Sequence, residues 1–268
     1  TATENYNVAL GYNAGGSVTT GVQNTFLGAL AGDSLSDADF NVAVGTSALS
    51  ADTLGSNSTA IGWSALAAQN FSTATLSYNV AVGFKAGLSV TTGVDNVLVG
   101  GLTGDALTDA DVNIAIGTSA LSSDTLGSKS IAIGKGALFT QNFTTATDSH
   151  NIAIGTNAGL SVTTGTQITL VGSLAGDAIE DGHLNTGLGY AALTNETRGQ
   201  RAVAVGAFAL QTQNITTATE SYNVAVGYNA GGAVTTGARN TLIGGLAGDS
   251  LTTSSENVAL GYAALTAA

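Results

Sequence analysis

The sequence contains no cysteine, no proline and no methionine, and only 9% of its residues are charged. Without cysteine there are no disulfides and no thiolate metal sites, a pattern that fits an extracellular location. Basic residues are scarce as well: 6 Lys and Arg stand against 18 Asp and Glu, for a net charge of −12. The basic footprint of a nucleic-acid or anionic-lipid binder is therefore missing. No apolar run reaches the length of a membrane span, and no secretory leader is visible. There are two histidines, His150 and His183, and no nucleophile, base and orienting group recur together, so no catalysis is expected and no catalytic residue is assigned.

What the chain does have is glycine, 37 residues in 268, and an apolar content of 44% carried largely by Ala and Val. An aliphatic residue followed by Gly recurs at Gly11, Gly28, Gly45, Gly62, Gly83 and onward to Gly261, with intervals of 17, 17, 17 and 21 residues, 72 in all. Fifteen such units are present, and NVALGYNAGGSVTT at 7–20 returns at 79–92, 151–164 and 223–236. A short fixed period is the signature of a solenoid in which each unit stacks on its neighbours. The four-unit super-repeats run 7–78, 79–150, 151–222 and 223–268, in one continuous domain over 1–268. TATENYN at the start reads as the tail of an earlier copy, so a segment of a longer fibrous protein is expected.

Alignment on the glycine shows what each position demands. The residue before it is Leu, Val or Ile; two before it the cycle reads Ala, large, Ala, Ala, the large residue being Phe26, Leu98, Leu170 or Leu242, with Gly187 as the departure. Four before it stands Asn in eleven of the fifteen units, suited to a turn or a stacked amide ladder. Three after it stands Ala, except at Thr103. The coil is too short for helices and is rich in β-branched residues, so five-residue parallel strands ending at glycine corners are expected, stacked about 4.8 Å apart over roughly 70 Å. In Asn7-Val8-Ala9-Leu10-Gly11 alternation puts Val8 and Leu10 on one face and Ala9 on the other, both apolar. One face fills the coil. The other would form an exposed stripe larger than a monomer ordinarily tolerates, and a closed homotrimer would bury it.

The units NVAVG-TSAL, STAIG-WSAL, NIAIG-TNAG and SIAIG-KGAL resemble the left-handed parallel β-roll of trimeric autotransporter adhesin heads of the YadA type. The 17-residue spacing departs from the shorter coil of those heads and looks more like the NTAxG…ALxxNTTG repeats of phage tail-fibre and tail-spike proteins. The resemblance covers essentially the whole chain. It implies an all-β, left-handed β-roll, homotrimeric and extracellular, on a virion fibre or a bacterial cell surface. Its partners would be its own copies and a host-surface glycan or protein, with no nucleic acid and no membrane insertion.

Four surface features remain. Acidic loops lie in the second unit of each cycle, with Asp33, Asp37 and Asp39, then Asp105, Asp109 and Asp111, then Asp177, Glu180 and Asp181, and finally Asp249 and Glu256 alone. Ca²⁺ takes oxygen-rich sites, but the pattern is neither an EF-hand nor a calcium roll, and solvated turns with Asp bonded to nearby N–H groups are the preferred reading, with no metal or cofactor assigned. The fourth unit is four residues longer, as in AAQNFSTATLSYN at 67–79, with Phe71, Phe143 or Ile215 as an apolar plug; bracing is preferred over recognition. Aromatics follow the corner glycine at Tyr12, Trp63, Phe84, Tyr190, Tyr228 and Tyr262, too irregularly for a sugar comb. The Thr19-Thr20 type of pair comes once in four coils, about 19 Å apart, which speaks against a continuous ice-binding threonine plane.

Overall fold

The computed structural model describes residues 4–266, so Thr1–Thr3 of the TATENYN tail and Ala267–Ala268 lie outside the described residues. It is an all-β parallel solenoid of about fifteen turns, with no helix among the described residues. Two compact units divide it, Thr1–Ser130 with Asn142–Asp148, and Ile131–Gln141 with Ser149–Ala268.

In the first unit the strands Val8–Leu10, Thr25–Leu27, Val42–Val44, Thr59–Ile61, Val80–Val82, Val97–Val99 and Ile114–Ile116 stack in chain order. In the second, Ile131–Ile133, Ile152–Ile154, Thr169–Val171, Thr186–Leu188, Val203–Val205, Val224–Val226, Thr241–Ile243 and Val258–Leu260 do the same. Pairing is parallel and without offset, as in Val42↔Thr59, Ala43↔Ala60 and Val44↔Ile61. Equivalent residues of successive coils therefore form straight columns.

These strands are three residues long, shorter than the five expected from the sequence. A left-handed residue turns the chain just before the Asn, and the glycine turns it again at the other end. At Gly45, φ is +127° and a Cβ would lie 2.5 Å from the Gly62 carbonyl oxygen, so this corner excludes a side chain by both conformation and space. Phe40, Ser47 and Leu49 take φ of 60°, 56° and 52° at the other corners of the same coil. Left-handed backbone costs an ordinary residue roughly 1–2 kcal/mol. The turned N–H groups offset it by bonding adjacent coils: Phe40 to the Val22 carbonyl at 3.1 Å, Ser47 to that of Ala29 at 2.9 Å, and Leu49 to that of Ala65 at 3.0 Å.

The Asn four residues before the glycine forms a buried ladder. Asn24 accepts the Asn41 N–H on Oδ1 at 2.8 Å and donates its own Nδ2 to the Ala38 carbonyl at 2.8 Å; Asn41 repeats the pattern with the Ser58 N–H at 2.8 Å and the Gly55 carbonyl at 2.9 Å. Both side chains are fully buried. The ladder satisfies backbone groups that the short strands leave unpaired.

The middle residue of each strand points inward, so Ala43, Ala60 and Ala81 are fully buried. The cyclic large residue has a steric reason. A Cβ on Gly15 or Gly32 would come within 2.7 or 2.4 Å of the Phe26 ring, whereas the same position in the next two coils holds Leu49 and Leu66, both buried above an inward Ala. Volume removed at one position is returned at the other, which keeps the interior packed.

Candidate interaction surface

The two outward positions of every three-residue strand described above hold only Val, Ile, Leu or Thr. Away from the first and last coils these side chains are partly exposed, and the more exposed among them include Leu27 at 44%, Ile154 at 37% and Ile243 at 38%. Val8 and Leu10, and Val258 and Leu260, are more exposed because each belongs to an outermost described coil. Each unit thus carries an uncharged aliphatic ribbon several coils long. Exposed aromatics flank the strand in the chain, as Tyr78 and Phe84 do for Val80–Val82 and Tyr222 and Tyr228 do for Val224–Val226. The alternation read from the sequence puts these faces where the structure has them.

The bordering aromatics contact one another across coils. Trp63 stacks on Phe84 with ring centroids 5.2 Å apart and 17° between planes, and the Lys85 ammonium lies 5.2 Å from the Trp63 ring and 5.6 Å from that of Phe84. In the second unit, Tyr190, Phe208 and Tyr228 meet edge to face at 5.3 and 6.0 Å. Phe208, one residue further from its glycine, completes this row. The glycine-spaced aromatics read in the sequence omit it. Tyr222 and Tyr6 have their phenol pKa raised, in each case chiefly because the hydroxyl hydrogen-bonds a carboxylate two residues earlier, Glu220 and Glu4 respectively.

The acidic loops are tied into the backbone. Asp39 Oδ1 accepts the Val22 N–H at 2.8 Å, and Asp111 Oδ1 accepts that of Val94 at 2.8 Å. His183 takes the equivalent place in the third cycle and accepts the Thr166 N–H on Nδ1 at 3.0 Å; Ser255 in the fourth accepts that of Ala238 at 3.0 Å. A carboxylate, an imidazole and a hydroxyl share one role, so the position selects a hydrogen-bond acceptor rather than an ion ligand. Among the described residues no group of three or more His, Cys, Asp or Glu side chains is placed to hold a metal ion. His150, the other histidine, is exposed.

Hydroxyls recur more often than the Thr-Thr pairs suggest, since Thr19, Ser36 and Thr53 occupy one position of successive coils. Their protons go to the fold: Thr19 donates to the Ser36 carbonyl at 3.1 Å, Ser36 to that of Thr53 at 3.1 Å, and Thr53 to that of Phe71 at 2.9 Å.

The extra residues of the fourth coil turn back onto the third. Thr75–Leu76 pairs with Gly55–Ser56, and Thr147–Asp148 with Gly127–Ser128. Phe71, Phe143 and Ile215 are buried plugs. Beneath each plug lies a group that the sequence reading missed: a fully buried carboxylate, Asp52, Asp124 or Glu196. Asp52 Oδ1 accepts the N–H groups of Gly55 and Phe71, both at 3.1 Å, and Oδ2 accepts Gln69 Nε2 at 2.6 Å. Gln69 in turn donates to Ser58 Oγ at 2.8 Å and accepts Asn79 Nδ2 at 2.9 Å. The amide therefore fills the gap in the Asn ladder where Ser58 replaces Asn. The signal was there to be found, an acid 72 residues apart in three copies, but it was hidden among turn-like Ser, Asp and Thr.

Compared with protein-family models, curated proteins and solved structures, the chain matches none of them.

Proposed function

We propose that the chain is a structural and adhesive fibre segment that self-associates as a homotrimer, and that it belongs to a phage tail fibre or similar virion fibre that attaches to a host. The observation that carries this reading is the uncharged aliphatic ribbon, a third exposed at Ile154, Val171 and Ile243. Contiguous apolar patches beyond a few hundred Å² mark contact surfaces, and rotational closure of identical copies covers such a ribbon with no free edge. The second reading, the head or stalk of a bacterial trimeric surface adhesin, uses the same surface in the same way. In either setting, recognition of a host glycan or protein falls to what differs between coils, such as Trp63, Phe84 and Lys85.

Light scattering of the purified segment tests the assembly: the expected mass is about three times 26.2 kDa. Ile154→Asp separates association from folding, because the side chain is partly solvated in the single chain and becomes a buried unpaired charge once the ribbon is covered. The variant is expected to keep its β circular dichroism and sediment as a monomer. A wild-type chain that is itself a stable monomer refutes the proposal.

A further inference from the structure

The interior position seven residues after each corner glycine reads Val18, Leu35, Asp52 and Gln69 in the first cycle. The acid returns as Asp124 and Glu196, and the amide as Gln141 and Gln213. Elsewhere this column is apolar, as at the buried Val90 and Leu107. A buried charge in such a column is weak evidence for stability, since apolar groups of the same volume often serve as well or better.

Three details show that the site is built around the carboxylate. A Cβ on Gly55 or Gly127 would lie 2.2 Å from the acid beside it, and one on Gly199 would lie 2.7 Å from Glu196, so glycine clears the space each time. In the third cycle the acid is one methylene longer, while Ala202 replaces the Ser58 type of residue and Ile215 the Phe71 type. Volume is redistributed, yet charge and amide stay. Glu196 still accepts the Gly199 N–H at 2.7 Å, the Ile215 N–H at 3.1 Å and Gln213 Nε2 at 2.6 Å.

The strands themselves specify stacking poorly. A coil skipped between Val42–Val44 and Val80–Val82 would again set Val over Val and Ala over Ala. Near-identical coils thus permit alternative registers of similar energy, the hazard of a weakly specified strand. We propose that the buried acid–amide pair is a register key: a carboxylate that only accepts must meet an amide on the next coil, so a slipped stack would leave a buried charge facing Leu or Val. Anchoring of the inserted loop does not account for the pair, because the Gln69–Asp52 bond joins two coil interiors and the loop's own N–H at Phe71 goes to the other carboxylate oxygen.

The absence of cysteine allows a direct test. Thr20→Cys and Asp109→Cys place spin labels at exposed, equivalent positions five coils apart within the first unit, on either side of the Asp52–Gln69 pair. The expected backbone separation is about 24 Å, and a skipped coil shortens it by about 5 Å. After refolding from denaturant together with an excess of unlabelled chain, so that distances between copies do not contribute, the labelled parent should show one distance by electron double resonance. Asp52→Leu with Gln69→Leu should add the shorter one. Asp52→Asn with Gln69→Glu, which moves the charge one coil but keeps the two coils complementary, should show the native distance alone. The proposal is overturned by a Leu pair that refolds to the native distance alone, by a Leu pair that does not refold, which would assign the pair to stability, or by two distances in the parent.

Discussion

Replacing Asp52 by Asn changes one buried oxygen into an amino group at nearly constant volume, and the surrounding bonds dictate the outcome. The oxygen that remains can still accept the Gly55 and Phe71 N–H groups. The new amino group, however, would face Gln69 Nε2 across a contact that is 2.6 Å in the native chain. Turning the Gln69 amide over only moves the conflict, because its Nε2 would then meet Asn79 Nδ2, now 2.9 Å from Oε1. Asn79 cannot turn in response: it donates to the Gly93 carbonyl at 2.7 Å and accepts the Asn96 N–H at 2.9 Å. One charge-assisted bond is lost and the two facing amino groups are each left with an N–H that has no acceptor, a cost of about 3 kcal/mol or more. Gln69→Glu alone should be worse, since it sets two buried carboxylates against each other. Combined with Asp52→Asn, it supplies a carboxylate at position 69 that accepts both the new amino group at position 52 and Asn79 Nδ2. The double variant should therefore recover about 2 kcal/mol of the loss, measured as a coupling energy in denaturant unfolding and as restored hydrogen-exchange protection at the Phe71 amide. A neutral Asp52→Asn, or additive single effects, would refute the hydrogen-bond polarity assigned to this network.

Interior volume and surface ionisation supply two further tests. Phe26→Ala should cost about 3–5 kcal/mol by opening a cavity, and Gly32→Leu should restore part of it, because Gly32 has φ of 56° and Leu49 occupies the matching position at 52°; a melting-temperature series reads both effects. For Tyr222 the sign is set by the raised phenol pKa: its hydrogen bond to Glu220 is present below pH 10, and its contribution is lost as pH rises through the folded-state value. Ultraviolet titration should show one tyrosine fewer ionising late in Tyr222→Phe, and Glu220→Gln should return Tyr222 toward the usual value of 10.0.

Much of this protein was legible because a solenoid repeats its local chemistry. The glycine period located every strand of the stacked sheet, and the alternation in Val8-Ala9-Leu10 separated the interior from the ribbon, since side-chain direction in a strand follows from period two alone. The Asn ladder could be named in advance because its spacing equals the coil. The strand length was overestimated because nothing in the letters marks Phe40 or Tyr78 as a left-handed corner; at Phe40 the neighbouring coil holds the residue there through its N–H group. The same limit applies to the pairing of Gly32 with Phe26, a complementarity of volumes between residues that only stacking brings together.

The sequence by itself determined the period, the columns and the two apolar faces, because these depend on bonds and contacts that recur at a fixed spacing. Only the tertiary structure decided that Asp52, which reads as a turn residue, is fully buried and bonded to Gln69 on the next coil. Burial changes the meaning of a carboxylate, and burial is a property of what stacks above and below it.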